Sequence, residues 1–353
     1  MAKTEASGSA STVALDALGA DGGPAPIVAG ARAVAAEGIR LRVFGRPAEL
    51  GDLLGLDGVE LLDAPEQIGN DEEPLPAVRS RPQASVVAAA RDVAEGASAA
   101  LVSAGATGAT MAAATFGLRR IQGVHRPALA LELRSPARPG RPLVLLDVGA
   151  STEARAQHLV QFAHLGSAFA AVVLGVKRPR VALLSVGEES KKGTPIVVEA
   201  HEALASTASD GFEFAGNVEG RDLLTGDADV VVTDGFTGNV TLKTIEGTAK
   251  AVAGAVRDAA RSNPLSAAGG LLLRPALAGL RRELDPDTTG GAILLGLRRV
   301  TVVAHGSSGP EGIANAIRLA DRAVRERAVE RTADQLEASG ATRGSLRNTA
   351  GRE

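Results

Sequence analysis

The chain of 353 residues contains no cysteine, no tryptophan and no tyrosine. Without a thiol there is no disulfide, no thiolate zinc site, no iron–sulfur cluster and no enzyme-bound thioester. Aromatic residues make up 2% of the chain, too few to build the stacking platforms that nucleic-acid bases need. A net charge of −3 gives no broad footprint for a phosphate backbone, so no nucleic-acid partner is expected. Long hydrophobic runs are missing too, and the opening MAKTEASGSAS has no apolar core of the kind a signal peptide carries. A cytoplasmic location is the expectation. Neither G-x-G-x-x-G nor the Walker A pattern occurs, which demotes an ordinary dinucleotide-binding dehydrogenase and a P-loop NTPase. His158 and His164 stand six residues apart and share no helical face, so neither a metal nor any other cofactor is expected.

Glycine is abundant instead, at 42 residues, and the 45% hydrophobic fraction supplies a large core. Six apolar runs of strand length end in a glycine turn that opens onto helix-like sequence. They are TVALDALGADGGP (12 to 24), ALVSAGATGAT (100 to 110), LVLLDVGAST (143 to 152), VALLSVGEESKKGTP (181 to 195), ADVVVTDGFTGNVTLKTIEG (228 to 247) and VTVVAHGSSGP (301 to 310). Such turns aim backbone N–H groups and a positive helix end at one spot, which suits a phosphate. Further strands are expected at 40 to 45, 59 to 64, 127 to 134 and 212 to 218. Helical periods appear at Ile27, Ala31, Val34 and at Ile245, Ala249, Val252, Val256, faces able to pack on a sheet. This alternation predicts an α/β fold with a mostly parallel sheet. One α/β domain is read over 12 to 330, with a disordered tail at 1 to 11 and a polar tail at 331 to 353; the polar stretch 69 to 82 does not divide it.

Three loops carry candidate chemistry. In SVGEESKKGTP, Lys191 and Lys192 precede a Thr194-Pro195 helix start, so two ammonium groups stand beside a helix N-terminus; a solvated loop accounts for the spacing equally well. In TDGFTGN, Gly235 and Gly238 permit close backbone approach to a ligand, Thr237 offers a hydroxyl and Asn239 an amide for an oxyanion. Alternatively Asn239 is the N-cap of the next helix, with Asp234 capping the turn. In HGSSGP, His305 neighbours Ser307 and Ser308, but proline at 310 breaks the nucleophile-elbow pattern, leaving hydroxyls that line a pocket.

The ordered set DALGADGGP, SAGATGA, LDVGA, GEESKKG, NVEGRDLL, DVVVTDGFTGNVTLKTIEG and HGSS, spread over about residues 12 to 320, resembles the bacterial phosphate acyltransferase family (acyl-carrier-protein:phosphate transacylase). The resemblance implies transfer of an acyl chain from acyl carrier protein to inorganic phosphate, feeding phospholipid synthesis. It also implies a homodimer and a three-layer α/β sandwich similar to isopropylmalate dehydrogenase and phosphotransacetylase. Carried onto this sequence, it makes Lys192 and Asn239 catalytic, with Asp16, Asp21, Thr107, Gly108, Asp234, Gly235, Thr237, Gly238, His305, Ser307 and Ser308 in support. The chain departs from the family pattern at Leu18, Ala20 and Ala106, the last standing where the family has asparagine.

Hydrogen phosphate is already an anionic nucleophile near neutral pH, so charge positioning matters more than a strong base. With neither cysteine nor a serine elbow, direct attack on the thioester is expected over an acyl-enzyme. The segment 271 to 284, with Leu273, Leu277, Leu280, Arg274, Arg281 and Arg282, reads as a membrane- or carrier-facing helix or, equally, as an interface helix interrupted by Pro275. Arg119, Arg120 and Arg126 form either a docking patch for acidic acyl carrier protein or a solvated face. Peripheral contact at the inner face of the membrane and a downstream glycerol-3-phosphate acyltransferase complete the expected partners. The competing readings are a short-chain phosphotransacetylase and an isopropylmalate-type dehydrogenase relative.

Overall fold

The structure, a computed structural model, describes residues 11–206, 211–284 and 286–342, without the side chains of 276–278 and 280–286. Strands and helices alternate as the sequence predicts. In chain order they are β1 (Thr12–Asp16), α1 (Pro24–Ala35), β2 (Arg40–Gly45), β3 (Val59–Asp63), α2 (Pro74–Ser80), α3 (Ser85–Glu95), β4 (Ala100–Ser103), α4 (Thr107–Leu118), β5 (Ala128–Leu133), β6 (Leu143–Leu146), α5 (Ala156–Val173), β7 (Arg180–Leu184), α6 (Pro195–Ser206), β8 (Glu213–Val218), β9 (Val230–Val232), α7 (Gly235–Arg261), α8 (Pro264–Leu284), β10 (Ala292–Leu295), β11 (Val300–Val303), α9 (Pro310–Arg325) and α10 (Ala328–Ala338). Two compact units share them, where the sequence suggested one. The first runs to Arg119 and resumes over Leu297–Val329; the second comprises Arg120–Gly296 and the segment from Glu330.

In the first unit the strand order is β3-β2-β1-β4-β11, and every neighbouring pair is parallel. Val13, Ala14 and Leu15 are all fully buried, so β1 is covered on both faces, which is why it reads as a continuous apolar run. The predicted face of α1, Ile27, Ala31 and Val34, is buried. Gly30 lets α1 approach α9 closely, since a Cβ there would lie 2.8 Å from Ile313 Cβ.

In the second unit the order is β10-β5-β6-β9-β7-β8. Strands β6, β9, β7 and β8 run parallel, while β5 is antiparallel to both β10 and β6. Helix α5 buries Leu159, Phe162 and Leu165 and rides on β9 at Gly166, where a Cβ would meet Val230 Cγ1 at 2.7 Å. Helix α10 buries Thr332 and Leu336, so ordered structure continues past the point where a polar tail was expected.

Helix α7 departs from expectation. Its only buried residues are Gly235 and Gly238 in the first turn, and Val252 and Val256 remain 57% and 44% exposed rather than packed on the sheet. The first turn is wedged against the loop after β6, and from there the helix runs on with α8 as its packing partner in a helical hairpin. Leu265, Leu271, Leu272 and Leu273 on α8 are exposed. Leu277, Leu280, Arg281 and Arg282 lie outside the described side chains. Among the described residues no helix is long and apolar enough to cross a membrane.

Candidate active site

Parallel strands deliver their following loops to one edge, so the loops after β6, β9 and β7 leave the second unit side by side. After β7, Gly187 is buried and residues 188 to 194 are exposed, carrying Lys191 and Lys192 to the start of α6, which opens with Pro195 as predicted. Gly193 adopts φ +113°, and a Cβ there would lie 2.8 Å from Ser185 Oγ. The lysine loop therefore turns tightly back on the strand end. After β9, Asp234 is the N-cap of α7: its carboxylate accepts from Thr237 N at 2.9 Å and from Thr237 Oγ1 at 2.7 Å. This removes the N-cap reading of Asn239. It is not a cap but an exposed residue one turn into the helix, with Cβ and Cγ each 3.8 Å from the Cβ position of Gly149 on the loop after β6. Lys192 and Asn239 thus stand on neighbouring loops at the same edge of one unit.

The glycines of TDGFTGN serve the fold. A Cβ at Gly238 would fall 1.9 Å from the carbonyl oxygen of Asp147, and one at Gly235 would fall 2.4 Å from that of Ser151. The close backbone approach expected for a ligand is made to the protein's own loop. Asp147 organises that loop. Fully buried, it accepts from the backbone N–H groups of Leu129, Gly149, Ala150 and Ser151 and from the Ser151 hydroxyl, at 2.7 to 3.1 Å. Burial pushes its carboxyl above the usual carboxylate range, against the opposing pull of these hydrogen bonds. The N–H groups of Gly149, Ala150 and Ser151, expected to face an anion, are spent on Asp147.

The first unit repeats the arrangement at the adjacent ends of β1, β4 and β11. Asp16 is 2% exposed; it accepts from Leu18 N at 3.2 Å and Ser103 Oγ at 2.7 Å, and burial raises its carboxyl. Ser103 Oγ in turn accepts from Gly105 N at 3.1 Å. Asp16 accordingly braces two loops from within. Asp21 N donates to the carbonyl of Gly306 at 2.8 Å, joining the first and last glycine turns. Gly108 abuts Pro74, whose Cγ lies 2.7 Å from a Cβ placed there, while Thr107 is exposed at the start of α4. His305 Nδ1 accepts from Ser307 N at 3.2 Å and faces Ser307 Oγ at 2.8 Å, so its ring hydrogen sits on Nε2 in the neutral form. Ser308 is buried and its N–H donates to His305 O at 2.9 Å. Asp16, Asp21, Thr107, Gly108, His305, Ser307 and Ser308 are thus brought to one edge of the first unit.

Residues 11–331 match the family model described as "Fatty acid synthesis protein". The phosphate acyltransferase of Thermobifida fusca (strain YX) is 46% identical over 330 residues, covering 92% of this chain and 89% of that one. That of Heliobacterium modesticaldum is 45% identical over 89% of this chain and 94% of its own. The chain belongs to the phosphate acyltransferase family. Membership makes it an acyltransferase. Among solved structures a phosphotransacetylase from Streptococcus pyogenes superposes with a TM-score of 0.59 over 91% of this chain and 94% of its own, at 17% identity. EutD phosphotransacetylase from Staphylococcus aureus gives 0.57 over 88% and 94%, also at 17%. These two share the α/β fold.

Within this acyltransferase the residues that sequence reasoning missed are buried and polar: Asp147, Ser103, Ser151 and Asn217. A usable signal existed for Asp147, the same one that Asp16 carries. An aspartate at the end of an all-apolar strand, as in LVLLD and TVALD, must be satisfied internally or face the site.

Proposed function

We propose that the chain transfers an acyl group from acyl carrier protein to inorganic phosphate, giving acyl phosphate and free carrier protein for phospholipid synthesis. The observation that carries this reading is the shared edge of Lys192 and Asn239, with α6 and α7 both starting there. Phosphate bound beside the Lys192 ammonium attacks the thioester carbonyl carbon; a C–O bond forms and the C–S bond breaks. The Asn239 amide donates to the tetrahedral oxyanion, and the carrier thiolate leaves. Anionic phosphate must approach a carbonyl oxygen that itself becomes negative, and the ammonium with the helix N-termini offsets that repulsion. No cysteine is present to take the acyl group, so the transfer is direct.

The exposed leucines of the α7–α8 hairpin support peripheral contact with a membrane, where an acyl phosphate would be handed to a glycerol-3-phosphate acyltransferase. We read the working form as a homodimer. The deciding experiment is a phosphate-dependent acyl-transfer assay with long-chain acyl carrier protein and with acetyl-coenzyme A. Turnover is expected with the first donor only. Lys192→Ala and Asn239→Ala should each lower kcat/KM by about 100-fold, the cost of one oxyanion donor. Accumulation of an acylated protein when phosphate is withheld would replace direct attack by a covalent route.

A further inference from the structure

Asn217 is buried on β8 within the NVEG segment, and the reaction above gives it no task. Its amide joins three pieces of the second unit. Nδ2 donates to Glu189 O at 2.9 Å and, at a longer 3.5 Å, to Lys192 O. Oδ1 faces His201 Nδ1 on α6 at 3.0 Å. With two carbonyls on one side the NH2 group must lie there, so Oδ1 accepts and His201 Nδ1 carries the hydrogen. Lys192 O also accepts from Ser185 Oγ at 2.9 Å, and Lys192 N closes a turn onto Glu189 O at 2.9 Å. The lysine loop is exposed from residue 188 to 194, yet its backbone is tied at Glu189 and Lys192 to the buried Asn217 amide and at Lys192 to the half-buried Ser185 hydroxyl.

Strand β8 is shaped to aim that amide. Its register with β7 slips between Val181 and Ala182, which leaves Ala215 as an extra residue, and Gly216 takes φ +85°. A bulge of this kind bends the strand and re-aims the next side chain, which here is Asn217. A Cβ at Gly216 would lie 3.8 Å from His201 Cε1, and the His201 ring stands edge-on to Phe214 at 5.1 Å between centroids and 74°. Bulge, phenyl ring and imidazole together fix the orientation of one side chain.

We propose that Asn217, oriented by His201, is a positioning residue that holds the lysine loop in the conformation where the Lys192 ammonium meets phosphate. The proposal deepens the reading of Lys192 given above and rests on it. An exposed lysine on an untethered loop would sample many positions, and a misplacement of about 1 Å can cost about 100-fold in rate.

Asn217→Asp keeps the shape but sets a second acceptor against two carbonyls. Lys191 and Lys192 are tryptic sites, so native-state digestion reads the loop without reference to activity. Cleavage there should quicken by about ten-fold in the variant while kcat/KM for phosphate falls by about 10- to 100-fold and the KM for acyl carrier protein holds. Lys192→Ala combined with Asn217→Asp should be no slower than Lys192→Ala alone, since the tether then has nothing to position. Should Asn217→Asp fail to fold, His201→Leu tests the same tether and His201→Gln, which keeps a donor, should restore it. Unchanged tryptic cleavage, or losses that multiply in the double variant, overturns the proposal. If Lys192→Ala leaves phosphate kinetics untouched, the catalytic assignment falls by itself, and the cleavage rate still decides whether Asn217 holds the loop.

Discussion

Single residues at the strand ends decide whether the loops keep their shape. Asp147 receives four backbone N–H groups and a hydroxyl in a fully buried position. Asp147→Ala would orphan all of them, and we expect a loss of about 3 kcal/mol or more in urea unfolding, because stranded buried donors cost more than a hydrogen bond contributes. The opposite change is available at Ala106. It is the N-cap of α4 and provides no side-chain acceptor, at the position where the family pattern has asparagine. Ala106→Asn should therefore raise stability by about 1 kcal/mol, read as a shift in the denaturation midpoint. A midpoint that stays put would mean that the asparagine turns toward the ligand instead.

At the scale of elements, glycines set how closely helices meet loops. Gly238→Ala places a methyl group on the Asp147 carbonyl, so the first turn of α7 must shift and carry Asn239 with it. The expected result is a loss of about 1–3 kcal/mol together with a drop in phosphate-dependent turnover, measured by thermal unfolding and the acyl-transfer assay. Central strands such as β6 were legible in the sequence because burial on both faces leaves an unbroken apolar run; β2, with Arg40 and Arg42 toward its outer end, still falls on the predicted residues, and α6 starts at the predicted proline. The course of α7 was not. A period of 3.6 says that a helix has an apolar face, not what covers it, and Ile245, Ala249, Val252 and Val256 look alike in either case. The task of Asn217 was hidden for a related reason, since an amide in a strand reads as neutral until its three partners have positions. The division into two units was equally silent: Arg119 and Gly296 adjoin no linker-like composition, whereas the polar stretch 69 to 82 lies inside the first unit.

For the molecule as a whole, buried histidines set an acid limit. Burial lowers His164 to about 4, and burial with the nearby Arg126, His125 and Arg155 charges lowers His158 to about 4. Both are neutral when folded, while the unfolded chain takes up protons below its ordinary histidine value near 6.5. The unfolded state therefore binds more protons between pH 6.5 and 4, and stability is full above that window and falls as pH drops through it. His164 alone contributes up to about 3 kcal/mol to this slope. Asp16 and Asp147, whose carboxyls burial raises, act in the opposite direction, so the histidine contribution is read by difference: from pH 7 to 4 the parent should lose more unfolding free energy than His164→Asn, which cannot take the proton. The exposed hairpin makes the other prediction at this scale. Leu272→Glu should leave the unfolding midpoint within about 0.5 kcal/mol of the parent, because that side chain is already 83% exposed. It should also reduce flotation with anionic liposomes, and equal flotation would remove the membrane contact.

Helix α7 spans 27 residues, about 40 Å at the usual rise, with Asn239 near one end and Arg261 at the other. Among the described residues its buried positions are confined to the first turn, where Gly235 and Gly238 meet the Asp147 loop. A rod seated at one end passes any tilt of its long remainder to that end, so α7 cannot swing without pressing Gly235 and Gly238 into the backbone of the Asp147 loop.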